Sequence, residues 1–189
     1  MSDLVGTVRE RLRTSITDQD DVQPGRLGPR ATASMLAADE KVFGFTLPNL
    51  LKQLYAEVAN GGFGPGYGLL GLTGGVPDDQ KHNALQLYAI YRGTDPDDSS
   101  WHWPSGLLPI CNWGCAIYSC IDCTRPSFPI TIFDPNAHED GKSWSASFFP
   151  ECESFDHWIE LWATGTNLWD RMYGTDGLIA RAKERESAR

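Results

Sequence analysis

The chain has 189 residues, 41% of them hydrophobic, with seven tryptophans, which is enough for one domain with a substantial core and excludes disorder of the whole chain. Its longest apolar stretch, Leu107 to Ile121, is broken by Pro109, Asn112 and Gly114 and does not suit a bilayer. The net charge of −9 is uneven: residues 31–170 hold 6 basic and 17 acidic side chains, a balance of −11, which disfavours nucleic acid and suits either a basic partner or plain solubility.

Met1 to Thr14 carries Asp3, Arg9, Glu10, Arg11 and Arg13 without the apolar run of a signal peptide, so a cytoplasmic location is expected. Leu4, Val5, Val8, Leu12 and Ile16 trace a helical stripe, and the turn-rich segment that follows, with Pro24-Gly25 and Gly28-Pro29, reads as a linker. Residues 1–30 are therefore expected to be an extension, 31–172 the domain and 173–189 a charged, solvent-exposed tail. Within the domain, a helix is expected from Ala33 to Phe43, stopped by Gly44.

A second helix starts near Pro48, where a missing N–H costs nothing, and carries Leu47, Leu50, Leu51, Leu54, Tyr55 and Val58 on one face. Asn60-Gly61-Gly62 stops it, because Asn and Gly tolerate a left-handed backbone, and Gly64, Gly66 and Gly68 turn the chain toward a short strand at Tyr67–Leu72. The glycine run follows a helix instead of opening one and lacks a P-loop lysine, which argues against phosphate binding. Asp78 and Asp79 suit helix caps for a helix from Gln80 to Arg92, although Leu85, Leu87 and Tyr91 also fit a strand.

From Gly93 to Ser100 the chain is an acidic loop, interrupted by Trp101-His102-Trp103. Asp95, Asp97, Asp98, Trp101 and Trp103 are the candidate partner-binding residues, with the tryptophans either plugging the core or anchoring a partner. A calcium loop does not fit, since Ser100 and Gly106 stand where glycine and glutamate are required. Four short runs then predict an antiparallel meander: Leu107–Cys111, Ala116–Asp122, Pro129–Asp134 and Trp144–Phe149. Ser154 caps a closing helix whose Phe155, Trp158, Ile159 and Trp162 form an aromatic stripe for one face of the sheet.

Cys111, Cys115, Cys120 and Cys123 resemble a metal set only superficially. Read as one strand, Cys115 to Cys123 sends Cys120 to the face opposite Cys115 and Cys123, so four ligands do not converge, and no metal or other cofactor is expected. The cysteines read better as small buried thiols. His82, His102, His138 and His157 lie in no catalytic signature, and no catalytic residue is assigned.

The ordered set L-P-x-x-L-x-x-L-Y-x-x-x-x-N-G-G-F-G from Leu47, then Leu108-Pro109-Ile110-Cys111-Asn112-Trp113-Gly114-Cys115, then Cys120-Ile121-Asp122, resembles the Smi/Knr family of the SUKH superfamily over roughly Ala31 to Leu168. That resemblance implies a single α+β domain, mostly antiparallel sheet with helices packed on one side, and no catalytic activity. It makes Leu47, Pro48, Asn60, Gly61, Gly62, Trp113 and Gly114 structural motif positions. It also implies one of two roles: a bacterial immunity protein that neutralises a cognate toxin domain, or a regulator of cell-wall assembly, for which Trp101 and Trp103 offer rings to a glycan. The charge balance favours a basic protein toxin as partner, with neither nucleic acid nor membrane involved.

Overall fold

A computed structural model describes residues 3–14 and 27–179. Ile16, the linker segment to Arg26 and the charged stretch from Arg181 onward lie outside the described residues.

Among the described residues six helices accompany a four-stranded sheet, α1 (Leu4–Thr14), α2 (Ala33–Phe43), α3 (Asn49–Glu57), α4 (Ala84–Tyr91), α5 (Phe155–Ala163) and α6 (Leu168–Tyr173). Strands β1 (Leu107–Gly114), β2 (Ile117–Asp122), β3 (Ile130–Phe133) and β4 (Phe148–Cys152) pair antiparallel in chain order, the meander that the turn signals predict. Cys115 and Ala116, with φ of 51° and 59°, join β1 to β2. Positive φ at both residues matches the right-handed twist of a two-residue hairpin. Cys115 is thus an exposed turn residue, not the first residue of a strand.

The N-terminal helix is part of the domain. Val5 and Val8 are buried in the main core, α1 packs on α3 and α5, and Arg9 pairs with Glu57 of α3 at 3.0 Å. Thr32 caps α2 by accepting from Met35 N, and Gly44 ends it at φ 77°, as the sequence pattern predicts. Pro48 sits at the N-cap of α3, one position before the first turn expected for it.

Three expected elements change. The segment 67–72 makes no strand: Leu69 bridges to Cys111 with Tyr67 N on Asn112 O and Leu70 N on Ile110 O, but the N–H groups of Gly68, Leu69 and Gly71 are taken within the glycine turns, so the ladder goes no further. Helix α4 begins at Ala84, capped by Asn83 in a reciprocal pair with Gln86, while Asp78 and Asp79 lie in the preceding loop. Trp144–Ser147 is a short 3-10 turn and the fourth strand starts only at Phe148.

Helices α4 and α5 pack against the sheet. Tyr118 and Ser119 are neighbours on β2 and so point to opposite faces. Tyr91 of α4 meets the Tyr118 ring edge-on, with ring centres 6.0 Å apart, whereas the Ser119 side leads through Glu151 to Trp158 of α5. A second, smaller cluster of Ile117, Ile132, Phe149, Met172 and Ile179 extends the packing past the expected domain end at 172, so the first part of the expected tail has something to bury.

Candidate functional site

Asn60 is buried at the junction of α3 and the glycine turns. Its Oδ1 accepts from Leu72 N at 2.8 Å, its Nδ2 donates to Thr73 O at 3.1 Å, and its backbone joins Pro29 and Val76. Gly61, at φ 87°, lies where an added Cβ would stand 2.5 Å from Gly71 N. Gly62 N donates to Leu69 O at 2.8 Å. Leu47 is buried and its N–H donates to Glu40, which also pairs with Lys52. These motif residues all hold backbone in place and present little surface.

Trp113 and Gly114 are half-buried at the end of β1. The Trp113 indole donates to Ser119 Oγ at 2.8 Å; Ser119 donates to Glu151 at 2.7 Å; and Glu151 also accepts from the Trp158 indole. Ile130 pairs with Cys152 and Thr131 with Pro150, so Glu151 is the extra residue of a β-bulge, turned into the core. At 4% exposure it is desolvated, and burial raises its carboxyl to about 7 against the pull of the two hydrogen bonds. Nothing in the sequence around Glu151 distinguishes it from the exposed Glu153; only the bulge does.

The acidic loop is ordered by its own side chains. Asp95 accepts from Asp97 N at 2.9 Å, and Asp98 accepts from Ser100 N and Oγ at 2.8 and 2.6 Å. The second Asp98 oxygen takes the Trp144 indole N–H at 2.7 Å. The Ser100 hydroxyl and then this indole hold the Asp98 carboxyl below its ordinary range. Asp95 and Asp97 are exposed to solvent.

Trp103 is not available to a partner. It is 1% exposed, stacks on Tyr91 at 4.5 Å, meets Phe133 edge-on at 4.9 Å and donates to Leu107 O at 2.7 Å. Its place is the core, because a bulky indole with its N–H satisfied internally gains most by burial. Trp101 is half-buried, with its N–H on Tyr91 O at 3.0 Å and its ring edge against Trp144 at 4.8 Å. Trp144 in turn stacks flat on His138 at 3.8 Å. The face that forms around the acidic loop therefore adds Trp144 and His138, brought from the 134–144 segment by the bond to Asp98, a long-range pairing with no local signal.

The thiols have no reactive setting. Cys111 and Cys120 are fully buried, and desolvation pushes both well above the ordinary thiol range; Cys123 is pushed to about 12. Among the described residues no three His, Cys, Asp or Glu side chains gather as metal ligands, and no helix is long and apolar enough to cross a membrane.

The family model described as SMI1 / KNR4 family (SUKH-1) matches residues 30–161. The chain belongs to that family. No curated protein matches it in sequence. SUKH-1 membership places the chain generally among immunity proteins or Smi/Knr-type regulators, which are generally non-catalytic and typically bind partner proteins. The α+β architecture with its antiparallel sheet is that of a single SUKH domain.

Proposed function

We propose that this chain is a cytoplasmic, non-catalytic immunity protein that binds and neutralises a cognate toxin domain with a basic surface. Family membership carries the reading. The charge balance of −11 over residues 31–170 supports the sign of the partner, since a field of one sign speeds encounter with the other. Asp95 and Asp97 offer exposed carboxylates beside Asp98, and the half-buried Trp101 and Trp144 supply rigid apolar surface at the same place. A glycan platform built on Trp101 and Trp103 is not proposed, because Trp103 presents no ring face to solvent.

Co-expression with the product of the adjacent gene tests the reading, by co-purification and by survival of cells exposed to that product. With the toxin in hand, D95N/D97N is expected to slow association roughly threefold at low salt and to show no difference at 0.5 M salt, about where screening removes long-range steering. A neighbour that forms no complex and from which the chain gives no protection would sink the proposal.

A further inference from the structure

A recess of about 130 Å³ opens between the 78–82 loop, α4 and the β1–β2 turn, bordered among others by Asp79, His82, Ile90, Tyr91, Asn112 and Tyr118. Among the described residues no lysine or arginine borders it. Its two carboxylates differ. Asp78, just behind it, is buried and occupied, accepting from His82 N at 2.7 Å with the His82 ring 3.8 Å away. Asp79 is exposed and engaged by no hydrogen bond or ion pair among the described residues. Their negative charge reaches the aromatic wall: burial first, and then Asp78 and Asp79, push the Tyr118 phenol up to about 12.

Asn112 adds a hydrogen-bond donor to the lining. It is 7% exposed; its Oδ1 is taken by Gly114 N at 2.7 Å, and its amide nitrogen, bonded to no group among the described residues, is left open to solvent or a ligand. Part of the rim is apolar, with Ile90 51% exposed and Tyr67, 60% exposed, lying against Gly114, and Gln80 and His82 make the rest polar. An unpaired carboxylate beside an aromatic ring, within a partly apolar rim, suits a planar cation delivered by a protein surface better than a free small molecule. Guanidinium fits this better than ammonium, because it is planar, weakly hydrated and able to stack while donating.

We propose that this recess takes an arginine side chain of a protein partner, with its guanidinium on Asp79 and beside the half-buried Tyr91 ring, and an adjoining main-chain carbonyl on the Asn112 amide. The site rests on the reading of a basic protein partner but is tested without one. The ¹⁵N-labelled full chain is titrated with Nα-acetyl-arginine N-methylamide, and with the lysine and leucine analogues. Arginine is expected to shift the amides of residues 79–82, 90–91 and 112–118 with half-saturation in roughly the millimolar range. D79N, at an exposed and unbonded position, is expected to weaken it about tenfold, and D97N to leave it unchanged.

No localised shift, an equal response to leucine or lysine, or unaltered binding by D79N would overturn the site. A cognate toxin held equally by wild type and D79N would overturn it while leaving the immunity reading intact. Arginine bound at the recess, with a neighbouring toxin that is not bound at all, would support the site and remove that reading.

Discussion

Glu151 makes the fold pH-sensitive in a direction opposite to most carboxylates. Its ordinary value is 4.5 and its folded value about 7, so the folded chain holds this proton more tightly than the unfolded chain. The associated stability is fully present below about 4.5 and is lost as pH rises through about 7. With 1.36 kcal/mol per tenfold change in proton affinity, the whole effect is about 3 kcal/mol, of which about 2.5 kcal/mol falls between roughly pH 5 and pH 8. Glu151→Gln mimics the protonated acid: its oxygen accepts from the Trp158 indole and its amide donates to Ser119 Oγ. Urea unfolding of both proteins, followed by circular dichroism from pH 5 to 8, reads the effect as a difference. Wild type is expected to lose about 2 to 3 kcal/mol relative to the variant across that range. The slope is decisive, since any constant offset from altered packing cancels. A difference that stays flat, or that grows in favour of wild type as pH rises, would refute the reasoning.

Three further substitutions probe the frame. Trp103→Ala removes a sealed indole and is expected to cost about 3–5 kcal/mol in chemical denaturation, where a partner-facing tryptophan would cost little. Gly61→Ala forces a Cβ onto Gly71 N at φ 87° and should lower stability by about 2–3 kcal/mol, read as a fall in Tm. Val8→Ala is expected to cost about 2 kcal/mol by urea titration; no change would mean that α1 is not part of the cooperative unit.

Elements whose ends carry their own chemistry were legible in the sequence. Gly44 after Phe43, Ser154 before Phe155 and the Asn-Gly-Gly stop after α3 each act through backbone geometry within a few residues. The start of α4 was set too early, at Gln80, because Asp78 and Asp79 are good caps; the cap in the fold is Asn83, which has Gln86 three residues on to close a capping box. Trp144 to Phe149 alternates like a strand, yet its first half is taken by the Ser143 cap and by Asp98, which is distant in sequence. Of the candidate contact residues, composition marked the acidic loop correctly as exposed at Asp95 and Asp97 but did not separate Trp101 from Trp103. That separation depends on Tyr91 and Phe133, which meet these rings only after α4 and β3 are in place. Glu151 and the unpaired Asn112 amide were invisible for the same reason: each is defined by what surrounds it in space.

The seating of α1 on α5 has a consequence for how the protein is made. Leu4–Thr14 has its resting place against Phe155–Ala163, a segment synthesised far later. Until α5 is synthesised, Val5 and Val8 lack part of their cover, and contacts so distant along the chain are slow to form. The nascent chain thus displays a sticky amphipathic helix until that segment emerges, a natural handle for a chaperone.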